Sequence, residues 1–568
     1  MVGRVTRYTN YRRQHSLMKI TRKTGIAAFF AALICIAFIG AAKNSDIYFL
    51  IKKNFTIFSD VYREVSLNYV DEVNPEKLMR KGINAMLESL DPYTVFIDEA
   101  QNQDIEIITR GSYGGVGLEV DVRGNNIVVI APREGYPAYH KGIRSGDIIK
   151  AVDGISVEKL SPEEVQSLTI GEPGTKVTIT IERYGVPQDL TFELTRELVE
   201  VKNIAYHGLI GTGQDIGYIL LTRFSQNAAE EIRKALDSLQ AQTKLKGLIL
   251  DLRNNPGGLL EEAVKTVDKF VGPGLMVVET RGRLNDHNSI FRTEEPALLG
   301  ELPLAVLQNN GSASASEIVS GALQDLDRAV IIGEQSFGKG LVQIVRPLSY
   351  NTALKITTSQ YFIPSGRSIQ SVTYTHDEQN SQISKPDSLR RAFKTRNGRT
   401  VYDGYGITPD ISVPEPSPTL LETSLYQQSY FFNFANRYAS LHETLNIDEI
   451  SDELFSQFRS YLEEQNFEYR TQTEHYLAQV EAELGEDSRH QNSIKTHISA
   501  LEQVTDLKKE QEFNRQKERL KQLLYKELVS RYKGTKGQIA ASIKFDPVVK
   551  EALSVLDSLP RYHDILGN

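Results

Sequence analysis

The sequence predicts an α/β protein whose core is a largely parallel sheet, preceded by a compact, mostly β module and flanked by helical N- and C-terminal regions. Three observations predict this. Four apolar runs, GYILLTRF, KGLILDLR, PLAVLQN and RAVIIGE, alternate with helical periodicity over 228–240, 259–270 and near 314–324. Buried strands alternating with helices imply right-handed βαβ crossovers and a parallel sheet. Upstream, from about 111 to 196, short β-branched runs (IVVIAP, DIIKAVDG, KVTITIERYG) are separated by Gly, Pro and Asp turns, with one short helix over 162–168. At the two ends the period is helical. Phe55, Phe58, Val61, Val65 and Tyr69 recur at helical spacing, 77–90 repeats the pattern, and after Pro414 the chain is polar, mixed in charge and helical. The last helix is capped by Asp546 and Pro547. On pattern alone the region after 415 reads as a solvated helical appendage.

Composition agrees with a folded chain of several domains. The 568 residues suffice for about three or four units, and 40% apolar with 24% charged residues excludes a disordered, collagenous or many-span membrane protein. A formal net charge of −8, spread over the whole length, leaves no footprint for nucleic acid. The single cysteine, Cys35, rules out intramolecular disulfides and CxxC chemistry.

Residues 25–42 contain no charge and follow Arg4, Arg7, Arg12, Arg13, Lys19, Arg22 and Lys23 with no acidic residue before them. This is a positive-inside signal. The stretch is just long enough to span about 30 Å of hydrocarbon, and Gly40 and Ala42 also offer a signal-peptidase site, so an uncleaved anchor and a cleaved signal both fit. Translation can start at Met1 or Met18. In either case the chain after about residue 43 is expected beyond the membrane. The domains expected are 1–42, basic region and signal; 43–100, helical; 101–198, the β module; 199–415, the core; and 416–568, helical.

In parallel sheets ligands bind at the turns after strand C-termini, which here are NNPGG, NGSASAS and GEQSFGKG. There is no HExxH, GxSxG or EF-hand loop, and the ten His residues lack metal spacing. What remains is a Ser cluster, 311–317, at the start of a helix, where backbone N–H groups and the helix dipole suit a nucleophile and an oxyanion. The nearest base is Lys339 in FGKG, which needs burial to lower its pKa from about 10.4 towards 7 or 8. Phe337 and the two glycines beside it allow that desolvation. Gly333 to Lys339 also fits the phosphate loop GxxxxGK, but Gly340 stands where Ser or Thr should be, and LVQIVRPL reads as a strand rather than a helix.

Taken in order, LDLRNNPGG, NGSASASEIVSGALQD, GEQSFGKGLVQ, YFIPSGRSI and YGITPDI resemble the carboxyl-terminal processing peptidases, or tail-specific proteases, of serine peptidase family S41. YVDEVNPEKLM and LDPYTVFID resemble that family's N-terminal region, and GGVGLEV, GIRSGDIIKAVDG and GTKVTITIER its PDZ domain. The resemblance covers roughly 50–415. It implies a ClpP/crotonase-like protease core with an inserted PDZ domain. It also implies Ser314 as nucleophile, Lys339 as general base, Gln343 orienting the lysine, and an oxyanion hole from the N–H groups of Ala315 and Gly258. Ser312 and Ser316 are then structural. No metal or organic cofactor is implied.

A PDZ domain adds a peptide as a strand and captures its terminal carboxylate. Gly115, Val116, Gly117 and Leu118 would form the carboxylate loop, with Val120 continuing the strand. The partners expected are therefore proteins with free apolar C-termini, an adaptor or further copies of the chain through the helical regions, and the inner membrane through the N-terminal segment. The function expected is a serine endopeptidase of the bacterial periplasm acting near the C-termini of exported proteins. The alternative is a non-catalytic PDZ scaffold with a decayed protease core.

Overall fold

The computed structural model describes residues 47–99, 111–374, 382–384, 390–484 and 491–567. The N-terminal basic and apolar segment, Cys35 included, lies outside the described residues. The chain divides into two units, 1–89 and 90–568. Among the described residues the first holds a helix over 47–68 and a helix Pro75–Glu88. Asn74 starts the second helix by accepting the Lys77 N–H at 2.9 Å, and Pro75 follows in the first turn, where no backbone N–H is required.

The second unit is built on a six-stranded sheet. Its strands are β1 (Ile204–Ile210), β2 (Ile216–Leu221), β3 (Gly247–Asp251), β4 (Leu304–Gln308), β5 (Val330–Gly333) and β6 (Ile411–Ser412), lying side by side in chain order. Only the β1–β2 pair is antiparallel. β3, β4 and β5 are buried along their whole length, as strands covered on both faces must be. Helices α1 (Ala228–Gln240), α2 (Leu260–Asp268) and α3 (Ala315–Asp325) are the crossovers expected from the sequence. They cover one face, with Ile232, Leu236, Leu239, Val267, Ile318, Val319 and Leu323 in a core shared with Ile219, Leu248, Leu250, Val306 and Ile331.

The other face carries the main departure from the sequence reading. Helices Pro547–Leu556 and Leu559–Leu566 place Val548, Val549, Ala552, Val555, Leu556, Tyr562 and Leu566 in one core with Tyr218, Ile249, Ala305, Leu307, Val330 and Ile332. Tyr562 pins the contact, its hydroxyl accepting from Leu304 N at 3.1 Å and donating to Arg328 O at 3.0 Å. The C-terminal region is therefore not wholly a solvated appendage, because its end is one layer of the sheet sandwich. The rest of it, from Leu420–Gln427 to Lys517–Phe545, has its own core around Phe431, Phe434, Phe458, Leu520, Leu524 and Leu528. Among the described residues no helix is long and apolar enough to cross a membrane.

A second, antiparallel sheet, absent from the sequence reading, joins strands Val95–Ile97, Met276–Gly282, Ser289–Arg292, Leu341–Pro347 and Ala353–Phe362. Between Val95–Ile97 and β1 the chain makes the mostly β module. Strands Leu118–Arg123, Asn126–Pro132, Ile148–Val152, Lys176–Glu182 and Leu190–Thr195 form one sheet, and the helix Pro162–Thr169 is closed by a capping box between Ser161 and Glu164. Val129, Val152, Val165, Ile179, Ile181 and Leu194 fill its core.

Candidate active site

The loops after β3, β4 and β5 converge at the N-terminus of α3. Asn255 anchors the first, its amide donating to Leu221 O at 2.8 Å and its Oδ1 accepting from Gly257 N at 2.9 Å. Asn309 ties the first loop to the second, with its Oδ1 accepting from Asn254 N at 2.9 Å. The three serines of the Ser-Ala-Ser-Ala-Ser run then separate by what their hydroxyls do. Ser312 Oγ, fully buried, donates to Leu252 O at 2.8 Å, and Ser316 Oγ, also fully buried, donates to Asn255 O at 2.8 Å. The Ser314 hydroxyl donates to no backbone carbonyl among the described residues; it lies beside the Tyr361 hydroxyl, and the residue is partly exposed.

Ser314 is the residue before α3, at φ 55° and ψ −112°. A non-glycine residue in that region is strained, and the strain persists only where the surroundings hold it. Here the holder is Glu317. Its buried carboxylate accepts from Ser314 N at 2.8 Å and Lys339 N at 2.9 Å through Oε2, and from Gly338 N and the Ser336 hydroxyl, both at 2.6 Å, through Oε1. Burial pushes the Glu317 carboxyl above its ordinary pKa, against the pull of those four donors. The Tyr361 hydroxyl lies within hydrogen-bonding reach of Ser314 O, at 3.1 Å, and of Lys339 O. The backbones of Ser314 and Lys339 are thus clamped together by one carboxylate and one phenol.

Lys339 lies on the loop after β5, as the sequence reading expects. Burial, with Lys355 adding repulsion, lowers its pKa to about 8, against the opposing charges of Glu317 and Asp91. The apolar cover differs from the one expected. Phe337 is 52% exposed, whereas the Lys339 ammonium sits 4.4 Å from the ring centroid of Tyr93. Among the described residues the ammonium makes no hydrogen bond or ion pair. Gln343 also departs from expectation. It lies directly opposite Thr357 in the ladder, so its amide donates to Thr357 Oγ1 at 3.2 Å, and no hydrogen bond joins it to Lys339.

The N–H groups of Ala315 and Gly258 donate to no acceptor among the described residues, whereas Gly257 N–H is taken by Asn255. Gly257, at φ +98°, lies so close that a Cβ there would sit 2.8 Å from Ala315 N and 3.0 Å from Ser314 Cβ. Gly258, at φ +151°, is equally restricted, since a Cβ would fall 2.3 Å from Phe224 O. Two N–H groups without an acceptor among the described residues therefore lie on the segments that meet at Ser314. Free backbone donors beside a hydroxyl are what an acyl-transfer site requires.

Comparison with known proteins supplies the family. The profile described as peptidase family S41 matches residues 215–379, a PDZ domain profile matches 128–183, and one described as a probable PDZ-protease C-terminal helical domain matches 421–556. A carboxy-terminal-processing protease of Bartonella bacilliformis is 40% identical over 64% of this chain and 76% of its own length. The chain belongs to peptidase family S41. A carboxyl-terminal-processing protease of Synechocystis is 37% identical over 52% of this chain and 70% of its own. Among solved structures, a photosystem II D1 C-terminal processing protease is similar at 28% identity and a TM-score of 0.34, covering 66% of this chain and 95% of that one. This S41 peptidase is a C-terminal-processing serine protease with a PDZ domain, not a member of a non-catalytic family.

In its PDZ domain, Gly115 ends the strand Ser112–Gly115, and Val116, buried, and Gly117, at φ 72°, turn the chain into Leu118–Arg123. The carbonyls of Val116 and Gly117 are used internally by Ala138 N and Arg133 N. Leu118–Arg123 pairs with Asn126–Pro132 on one side and ends the sheet there, leaving its other edge unpaired within that sheet. Leu118 is buried, Val120 is half-buried, and both pack into the same core as Val165 and Leu168 of the helix Pro162–Thr169.

Sequence reasoning assigned no role to Glu317, Tyr361, Asp91 or Tyr93. Glu317 was within reach, because Ser followed three residues later by Glu at a helix start marks a capping pair. The others come from segments distant in sequence and carry no local signal of where they pack.

Proposed function

We propose that Ser314 and Lys339 are a catalytic dyad that cleaves peptide bonds in exported proteins near C-termini held by the PDZ domain. The observation that carries the assignment is the fate of the three hydroxyls: Ser312 and Ser316 spend theirs on Leu252 O and Asn255 O, and Ser314 does not. Neutral Lys339 Nζ takes the proton from Ser314 Oγ as Oγ attacks the carbonyl carbon. The N–H groups of Ala315 and Gly258 hold the oxyanion, and the lysine returns the proton to the leaving amine. Water, deprotonated by the same lysine, then releases the acyl group. Gln343 steadies the lysine once its amide leaves Thr357.

The unpaired edge of Leu118–Arg123 suits an added peptide strand, and the N–H groups of the Gly115–Leu118 turn suit its carboxylate. The apolar residues along that strand favour apolar tails. The basic, then apolar, N-terminal sequence supports an inner-membrane anchor or cleaved signal, with the catalytic part in the periplasm. The crossovers ending at a nucleophile on a helix N-terminus support a ClpP/crotonase-like core. The helical regions are proposed sites for an adaptor or for further copies of the chain.

The test is incubation of the full chain, in detergent, with an unfolded protein ending in apolar residues, beside Ser314→Ala and Lys339→Ala, with products followed by intact mass. Cleavage by the parent alone, all three proteins remaining folded, is the expected result. Cleavage by Ser314→Ala would sink the assignment.

A further inference from the structure

The turn over 91–94 lies outside the segment matched by the S41 profile, yet it reaches the dyad. Asp91 Oδ1 accepts from Tyr93 N at 2.8 Å and Thr94 N at 2.9 Å, closing a tight turn. Thr357 Oγ1 donates to the same carboxylate at 3.2 Å, and Thr94 Oγ1 accepts from Thr357 N at 3.2 Å, so the turn is riveted to the strand that also faces Gln343. Tyr93 is fixed further by Tyr374, edge to face at 6.1 Å between ring centroids. The result is an aromatic face held 4.4 Å from the Lys339 ammonium.

We propose that Tyr93 is a positioning residue of the dyad, its ring holding the Lys339 ammonium between proton transfers and so helping to set the pH at which the lysine becomes a base. The inference rests on the reading of Lys339 as the general base. A ring face attracts a cation and not a neutral amine, so the contact favours the protonated lysine. Burial raises the Tyr93 hydroxyl pKa well above its ordinary value, so the ring carries no phenolate and acts through its face. The other groups facing the lysine are Lys355 from the strand Ala353–Phe362, Glu317 from α3 and Asp91 from the turn itself. Removing the ring leaves those charges in place. Filling its volume with an aliphatic side chain keeps water out while deleting the attraction, so the lysine should lose its proton more readily.

The experiment is the pH profile of kcat/KM on a peptide substrate for the full chain, Tyr93→Phe, Tyr93→Leu and Lys339→Ala, with thermal melts to show that each is folded. Tyr93→Phe, which keeps the face, is expected to keep the acid limb in place. Tyr93→Leu is expected to move it down by about 0.5 to 1 pH unit. An unmoved limb in folded Tyr93→Leu, or one moved upward, would overturn the proposal, since the ring would then only fill space or exclude water. Activity retained by Lys339→Ala would instead overturn the dyad on which it rests. If Tyr93→Leu fails to fold, Tyr93→Met carries the same comparison.

Discussion

At the scale of single residues, the candidate site is distinguished by what each polar group is bonded to. Ser312, Ser314 and Ser316 are chemically identical, and burial, backbone conformation and hydrogen bonding tell them apart. Ser312→Ala deletes a buried hydroxyl that donates to Leu252 O and accepts from Asn309 N at 3.0 Å. It is expected to lower unfolding free energy by about 1–3 kcal/mol while the folded fraction still cleaves substrate. Urea unfolding read beside activity checks this, and an inactive but fully stable Ser312→Ala would mean that the nucleophile is misassigned. For Lys339 the direction of pH dependence follows from its charge. As the proposed base it works only when neutral, and burial brings its pKa to about 8. Activity in the parent should therefore fall about tenfold per pH unit well below 8 and level off above it. A flat profile between pH 6 and 9 would exclude Lys339 as the base.

At the scale of elements, the site depends on how loops are locked to the start of α3. Glu317 gathers donors from Ser314, Ser336, Gly338 and Lys339, so one side chain joins the loop after β4 to the loop after β5. Glu317→Gln is isosteric but turns an amide donor towards donors. We expect at least a hundredfold loss of kcat with a lowered melting temperature, whereas loss of activity at unchanged stability would give Glu317 a direct chemical role instead. The loop after β3 depends on space. At Gly257 a Cβ would lie 2.7 Å from Ala313 O and 2.8 Å from Ala315 N. Gly257→Ala should therefore push Ser314 and Ala315 out of register and abolish acylation by a serine-directed probe; normal labelling would show that the loop can yield. The elements themselves were legible in the sequence. The helix expected over 228–240 is Ala228–Gln240, and those expected over 259–270 and 314–324 are Leu260–Asp268 and Ala315–Asp325. Period and apolar runs report local burial, which is why they succeed there. The antiparallel sheet was missed because two local hairpins and Val95–Ile97 are joined across long stretches of chain, and the strands have half-exposed faces with little apolar alternation.

For the whole molecule, the sheet has two covers of different origin. One is made by its own crossover helices, the other by the last helices of the chain, which return after a long stretch of separate helical structure. Deleting 547–568 would uncover Val330, Ile332, Leu307 and Ile249. Each large apolar side chain so exposed costs about 1.5–3 kcal/mol, so the truncated chain is expected to aggregate or unfold rather than behave as an active core. A soluble, cleaving truncation would contradict that role, and sedimentation with activity is the measurement. The PDZ domain meets the helices that precede that cover. Asn436 Nδ2 donates to Gly146 O at 3.4 Å, and Phe432 lies beneath the guanidinium groups of Arg531, at 4.3 Å, and Arg123, at 5.9 Å.

By itself the sequence determined the βαβ core and the β module and singled out Ser314 and Lys339 as candidates, because strand and helix periods, turn glycines and a contiguous motif are local properties of the chain. Only the tertiary structure decided how the three serine hydroxyls are used, what covers Lys339, where Gln343 points and what closes the far face of the sheet. Each of these depends on partners brought from distant segments, and packing at a distance leaves no local pattern to read.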